Sequence, residues 1–285
     1  MTKTILASLS GLASDRTVLE AAVAAARIEG GHIQCLHTRI DAVETAAMLE
    51  STAPRQGDLH GLLQQIAVQE SERSAHAKGV FDEICKQYAL VQRDSPCVDA
   101  AISIVWKESE SLLNQTLHAA RFHDLTVMGR DRELSAERII SVLMQSGRPL
   151  LLAPPKPCDA IGRTIAVAWK ASAEAARALT AASFLLAKAQ KVVILSVAED
   201  AGDGARLSAE HLASQLAWQG IQAEIRMGAT PAVSTSQSLV DMAYDCGADL
   251  LVMGAYGHNR VREFIFGGVT RELLATGALP LFMVR

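Results

Sequence analysis

The chain has 285 residues, of which 49% are apolar and 4% aromatic, and its formal net charge is -4. A chain of this length forms one large domain or two of ordinary size, and we favour two. Without a clustered excess of Lys and Arg there is no reason to expect a nucleic-acid partner. No apolar run approaches the roughly 20 residues that cross a bilayer, so we expect neither a membrane span nor an anchor.

The N-terminus and the cysteines indicate a cytoplasmic protein. The first residues, MTKTILASLS, are followed at once by a polar stretch, so they predict a first strand and not a secretory signal. The cysteines are odd in number and have no C-x-x-C spacing, which argues against a disulfide framework and against a zinc site: Cys35, Cys85, Cys97, Cys158 and Cys246. We therefore expect reduced thiols and no bound metal.

The chain consists of two similar halves, as the repeat described below indicates, and the first half has an insertion between its second and fourth strands. This insertion, at about residues 41–80, is polar and rich in Gln and Glu. Its apolar residues are spaced as in a helix: Leu62, Leu63, Ile66, Val68 and Val80. The pattern predicts a helical flap. The flap could bind a protein partner, but we favour a solvated cover over the first half's site.

An internal repeat predicts that the chain contains two copies of one fold, and comparison of the two copies shows the insertion. Residues 124–129 (DLTVMG) and 249–254 (DLLVMG) agree at five of six positions. Thr4-Ile5 matches Thr164-Ile165 in the same order. The spacing between matched positions falls from 160 residues to 125, so the first copy carries about 35 extra residues.

The segment Pro154-Pro-Lys-Pro157 separates the two copies. It can neither continue a helix nor donate the hydrogen bonds of a strand, so it predicts a stiff connector. We expect domains at residues 1–154 and 161–285.

Strands and helices alternate in the second copy. We predict strands at 164–169, 191–197 and 248–253 and a helix at 173–188, an order that implies an α/β fold with a parallel sheet covered on both faces.

The first helix of the second copy has clear signals of its own. Ser172 is the predicted N-cap and Glu174 lies in the first turn. Leu179, Ala182 and Leu186 form the stripe expected to pack on the sheet.

Each copy ends in an apolar strand after a proline, at residues 149–153 and 280–285. An apolar sheet edge invites pairing, so we predict that the two copies close each other's edges and form an intrachain pseudo-dimer.

A glycine-rich segment follows the strand that ends the second repeat. Gly254 and Gly257 come directly after it, and Gly267-Gly268 opens a predicted helix, which gives the spacing G-x2-G-x9-G-G. Glycines let the backbone turn sharply and approach a ligand, and the free N–H groups of a helix N-terminus favour an anion. The segment therefore predicts a phosphate site.

This spacing resembles that of the universal stress protein family, whose ATP-binding members carry G-x2-G-x9-G followed by Ser or Thr. Residues 165–177 (IAVAWKASAEAAR) also resemble the first strand, turn and helix of tandem members. The resemblance implies two tandem doubly wound, Rossmann-like domains of the adenine nucleotide alpha hydrolase type. Each would hold a mostly parallel five-stranded sheet, and the second would bind ATP or AMP, with or without Mg²⁺.

Position by position, the resemblance assigns phosphate contacts to Gly254, Gly257 and Gly267. Arg260, on the loop between these glycines, could bind phosphate oxygens or face solvent. The remaining residues of the predicted binding segment are Gly268, Val269 and Thr270.

Two positions depart from the family pattern. Gly268 replaces the family's hydroxyl residue, although Thr270 lies close by. Trp169 replaces the acidic residue at the end of the first strand, and it could be an aromatic surface for adenine or a plug of the base pocket. Val197 lies at the end of the second strand. The resemblance implies that adenine lies against the backbone there, but Val197 could equally be an ordinary core residue.

The first copy lacks these features. Arg132 stands at the position of Gly257, no Gly-Gly pair follows, and residues 8–11 contain no acid. We predict that this half does not bind nucleotide. His258 has no partner at a recognisable spacing, so we assign no catalytic residue.

Three functions remain open from the sequence. One is a regulatory module that binds an adenine nucleotide and an unidentified protein partner, with a further homodimer as an option. Another is a weak adenine-nucleotide hydrolase, which lacks support because the chain has no Walker lysine and no evident carboxylate pair for Mg²⁺. A third is a structural or interaction module in which both sites are degenerate.

Overall fold

The computed structural model of the protein describes residues 3–39, 59–95, 101–110, 115–131, 136–158, 160–197, 204–228, 234–255 and 279–285. The first half contains β1 (Thr4–Leu9), α1 (Asp15–Glu29), β2 (His32–Arg39), α2 (Leu59–Gln87), β3 (Val91–Gln92), β4 (Ser103–Glu110), α3 (Gln115–Ala120), β5 (Leu125–Met128), α4 (Ala136–Gln145) and β6 (Leu150–Leu152). The second half contains β7 (Thr164–Ala168), α5 (Ala173–Ala181), α6 (Ser183–Leu186), β8 (Lys191–Val197), α7 (Gly204–Trp218), β9 (Ala223–Gly228), α8 (Thr235–Asp245), β10 (Leu250–Gly254) and β11 (Leu281–Val284).

All these strands form one sheet in the order β3-β4-β2-β1-β5-β6-β11-β10-β7-β8-β9. Neighbouring strands are parallel except β6 and β11, which pair antiparallel with Leu152 opposite Leu281. The predicted pairing of the two edges, and with it the intrachain pseudo-dimer, is confirmed. Each half has the predicted five parallel strands, and the first half adds the two-residue β3 beside β4.

Helices cover both faces of the sheet, as the continuous apolar runs of the strands require. One core cluster joins the sheet to α1, α2, α5, α6 and α7. The other joins it to α3, α4 and α8. The doubly wound α/β prediction is therefore confirmed. Among the described helices, none has the combined length and apolarity needed to cross a membrane.

The predicted helix of the insertion is confirmed from Leu59 onward and continues past Val80 to Gln87, while residues 41–58 lie outside the described residues. At 29 residues, α2 is about twice as long as α7, which has 15. Its later turns bury Ala77, Phe81 and Ile84 against the sheet.

The first helix of the second half begins as predicted, because the Ser172 hydroxyl accepts a hydrogen bond from the Ala175 N–H at 3.2 Å. It ends earlier than predicted. The chain turns at Ala182, where ψ is 2°, and α6 then places Phe184 against Phe282 with ring centroids 6.4 Å apart. Ala182 and Leu186 of the predicted stripe are buried, and Leu179 is partly buried.

Candidate functional site

Three of the predicted site residues lie at one edge of the second half's sheet. In the order β10-β7-β8, Met253 lies opposite Ala168, and Ala168 lies opposite Leu195. Gly254, Trp169 and Val197 therefore end three adjacent parallel strands, where ligands of open α/β sheets bind. The other predicted binding residues lie outside the described residues: Gly257, Arg260, Gly267, Gly268, Val269 and Thr270.

Gly254 lies directly against the first turn of α5. A Cβ added there would lie 2.6 Å from the carbonyl carbon of Glu174 and closer still to the Ala175 nitrogen. Both atoms are backbone and cannot move aside without shifting the helix. Only glycine fits, and its effect is to bring the end of β10 onto the N-terminus of a helix, where N–H groups favour an anion.

Trp169 is held by α7. Its indole Nε1–H donates to the Ser208 hydroxyl at 2.9 Å, and its backbone N–H donates to Leu195 O at 2.8 Å. The half-buried ring packs against the core cluster on the α5 and α7 face. The indole is thus fixed to that face of the sheet.

Val197 belongs to the opposite face. Its half-buried side chain packs against the core cluster that includes α8. It also lies beside Gly228, where an added Cβ would be 3.2 Å from Val197 Cγ2. The structure therefore does not bring the Trp169 and Val197 side chains together, and what lies between them is the backbone at the ends of β7 and β8.

The exposed N-terminus of α5 carries a negative side chain of its own. The backbone N–H of Glu174, the Ser172 hydroxyl and the Arg177 guanidinium, 2.9 Å away, lower the pKa of the Glu174 carboxyl. Arg177 also donates to the backbone oxygen of Arg285 at 2.8 Å. These contacts tie α5 to the end of β11.

The corresponding end of the first half is occupied by a buried carboxylate. Asp15 is fully buried and accepts hydrogen bonds from the Ser10 and Gly11 N–H groups, both at 2.8 Å, and from the Ser10 hydroxyl at 3.0 Å. Burial raises the pKa of Asp15 despite these bonds. The N–H groups of this loop are therefore already bound.

A second carboxylate occupies the N-terminus of α1. Asp131, in the loop after β5, accepts from the Ser14 N–H at 3.3 Å, from the Ser14 hydroxyl through a short hydrogen bond, and from the Ser10 hydroxyl at 3.2 Å. A carboxylate at a helix N-terminus takes the place that an anionic ligand would take. Neither acid is evident from the sequence of the β1 end, because they come from α1 and from the loop after β5, not from residues 8–11.

A cation and a histidine complete this polar cluster. Arg138 of α4 donates to the Thr116 hydroxyl at 2.6 Å; burial lowers the pKa of Arg138, and the charge of Asp15 opposes that shift. His37 is buried, with Nδ1 3.3 Å from Leu9 O, and its ring stacks on Trp106.

Helix α2 lies over this end of the first half. A Cβ added to Gly11 would be 2.6 Å from Arg73 O, and Glu70, one turn earlier, is buried. Helix α2 therefore packs closely against the loop after β1 at Arg73, and the predicted solvated cover over a degenerate site stays a prediction. In the part of the chain that the structure describes, no group of three or more His, Cys, Asp or Glu side chains could hold a metal ion.

Contacts at the amino ends of the strands establish which residues of the two halves correspond. Asp124 accepts from the Thr4 N–H at 3.0 Å, and Asp249 accepts from the Thr164 N–H at 3.1 Å. Counting from these matched pairs, Asp15 corresponds to Ala175, and Asp131 corresponds to Tyr256. Neither carboxylate of the first half has a counterpart in the second.

A family model described as the universal stress protein family matches residues 162–285. Among solved structures, a universal stress protein from Archaeoglobus fulgidus DSM 4304 is similar over 99% of this chain and 96% of its own, with 18% identity and a TM-score of 0.67. A functionally unknown protein from Pseudomonas aeruginosa PAO1 is similar over 99% of this chain and 92% of its own, with 13% identity and a TM-score of 0.61. No curated protein matches the chain. The two structural likenesses show the fold.

Proposed function

Residues 162–285 match the universal stress protein family, and from this match we propose that the chain is a cytoplasmic stress-response regulator whose C-terminal domain binds ATP or another adenine nucleotide. The N-terminal domain, residues 1–154, is a degenerate copy that does not bind nucleotide. The second domain is residues 161–285.

The observation that carries this proposal is the difference between the two sheet ends. In the first half, Asp15 and Asp131 take the N–H groups of the β1 loop and of the α1 N-terminus. In the second half, the matching positions hold Ala175 and Tyr256, which bring no negative charge. The acid that the second end does carry, Glu174, is paired with Arg177, so that end presents less unpaired negative charge to an anionic phosphate chain than the first.

The proposed site places phosphates near Gly254, Gly257 and Gly267, whose lack of side chains lets backbone N–H groups approach them. Gly268, Val269 and Thr270 continue that contact, and Arg260 binds phosphate oxygens. The base lies along the backbone at the ends of β7 and β8, between Trp169 and Val197. Mg²⁺ accompanies the phosphates when ATP is bound.

In this proposal, nucleotide binding changes how the two-domain chain binds a protein partner, and hydrolysis of the nucleotide is not required. The described cysteines are free thiols, which agrees with a reducing compartment. The interface of the pseudo-dimer is already used within the chain, so a further homodimer needs another surface.

Calorimetry separates the proposed function from its alternatives. The dialysed protein is titrated with ATP, AMP and adenosine, with and without Mg²⁺, and phosphate release is followed in the same sample. Saturable binding of one nucleotide per chain without steady release is the expected result. Steady release would show a hydrolase, and no binding would leave a structural or interaction module.

Two substitutions test where the nucleotide binds. Gly257→Glu puts a carboxylate among the proposed phosphate contacts and should abolish binding. Arg132→Gly restores a glycine at the matching position of the first half but leaves Asp15 and Asp131 in place, so it should add no second site. Normal ATP binding by Gly257→Glu would show that the site is misplaced.

A further inference from the structure

Among the described strands, β9 lies at the outer edge of the second half. β9 pairs with β8 on one side, from Val192 opposite Ala223 to Val197 opposite Gly228, and no described strand lies on its other side. The opposite end of the sheet is different, because there the two-residue β3 shortens the edge. Within the described ranges, the six-residue edge of β9 therefore has backbone N–H and C=O groups that another strand could pair with.

β9 also lacks two of the features that commonly protect a sheet edge. Its sequence, AEIRMG, contains no proline and no lysine. Ala223 and Ile225 pack against the core on the α7 face, so Glu224 and Arg226 lie on the other face. The edge thus carries one negative and one positive side chain, two residues apart.

This spacing makes the edge complementary to itself. When two β9 strands pair antiparallel about Ile225, Glu224 of each copy lies opposite Arg226 of the other, and Ala223 lies opposite Met227. Centring the pair on Glu224 or on Arg226 would instead place two like charges opposite each other, which is destabilising. The charges therefore select one antiparallel register.

We propose that β9 is the interface through which two copies of this chain associate, by antiparallel edge-to-edge pairing centred on Ile225. The contact is isologous, so it closes after two chains and does not continue into a fibre. It uses a different strand from the intrachain β6–β11 pairing and does not depend on nucleotide binding.

Charge reversal tests the interface and its register together. Sedimentation velocity over roughly 1–200 µM should show a monomer–dimer equilibrium for the wild-type chain. Arg226→Glu places Glu opposite Glu224 at two symmetric positions and should raise the dimer dissociation constant at least about tenfold. Glu224→Arg should do the same, and the double variant Glu224→Arg/Arg226→Glu should restore dimerisation.

Two controls keep the result specific. Arg206→Glu makes the same change in net charge on the exposed side of α7 and should leave the dimer unchanged. Glu224→Arg also breaks the 3.1 Å ion pair with Lys191, so circular dichroism must show that each variant is folded. The proposal would be overturned by any of three results: a wild-type chain that stays monomeric, an unchanged dimer dissociation constant for Arg226→Glu, or a double variant that does not dimerise.

Discussion

The two halves of the sheet are alike at the amino ends of their strands and differ at the carboxyl ends. At the amino ends, Asp124 and Asp249 each bind the backbone N–H groups that open the first strand of their half. At the carboxyl ends, the first half buries Asp15 against Ser10 and Gly11, whereas the second half has Ala175 at the matching position. The two halves thus share the contacts at the amino ends of their strands and differ in those at the carboxyl ends.

The two halves also share a close contact between a strand and the helix after the first strand. Gly129 and Gly254 both contact the helix that follows the first strand of their half, so the close strand–helix contact persists in the half that we propose is degenerate. A glycine at this position is therefore required by packing. What distinguishes the halves is which N–H groups the carboxylates bind: Asp15 and Asp131 bind those of the β1 loop and of Ser14, whereas Glu174 binds its own N–H and Arg177.

The largest expected effect is on packing at Gly254. Gly254→Ala drives a Cβ into the backbone of Glu174 and Ala175 and should cost about 3 kcal/mol of unfolding free energy. Gly129→Ala should cost less, because the added Cβ meets the Ser14 hydroxyl, which can rotate, and the Ser14 Cβ at 2.6 Å, which belongs to the residue before α1 and not to the helix backbone. Urea titration of both variants measures the difference.

Gly204→Ala is the matched control, because an added Cβ there meets nothing within 4 Å. It should leave the unfolding free energy nearly unchanged. If Gly254→Ala and Gly129→Ala lost the same unfolding free energy, the two strand–helix contacts would be equally rigid, which would contradict this prediction.

The next effect is the loss of the buried acid in the first half. Asp15→Ala leaves the N–H groups of Ser10 and Gly11 without an acceptor and should cost about 2 kcal/mol. Asp15→Asn keeps one acceptor oxygen and removes a buried charge, so its cost should be smaller. A thermal or urea denaturation series that ranks Asn below Ala in stability would contradict this account.

The sequence predicts the scaffold better than the site. The Ser172 cap follows from a local pattern, the repeat from a comparison of two segments, and the pairing of β6 with β11 from two apolar strands that each end a copy and need a partner. The turn at Ala182 does not, since nothing in an alanine-rich run signals it and Phe184 packs on the distant Phe282. The contacts of Asp15 and Asp131 were missed because they join side chains to a loop that only the fold brings near.

A smaller effect is expected when the first half's acid is moved to the second half. Ala175→Asp places a carboxylate where Asp15 lies in the first half and should weaken ATP affinity at least about tenfold by repelling phosphate. Ala176→Asp adds the same charge one residue later, on the exposed side of α5, and should change affinity little. Calorimetry on both variants, with melting curves as a check of folding, makes the comparison.

Unchanged ATP binding by Ala175→Asp would mean that the carboxylates do not explain the difference between the halves. The nucleotide would then lie farther from α5, nearer the segment after Gly257.

The smallest effect concerns the amino ends, where the two halves agree. Burial raises the pKa of Asp124, but hydrogen bonds from Lys3 and Thr4 and the charge of Arg148 outweigh it and hold the pKa below the ordinary value of 3.8. A carboxyl whose pKa is lowered by folding stabilises the protein above its unfolded pKa, and that contribution is lost as the pH falls through the folded value. Asp124→Asn should therefore be less stable than the wild type at pH 7, and the gap should narrow below about pH 4. Urea titrations at a series of pH values test this, and a gap that stays constant would mean that Asp124 acts through hydrogen-bond geometry alone and not through its charge.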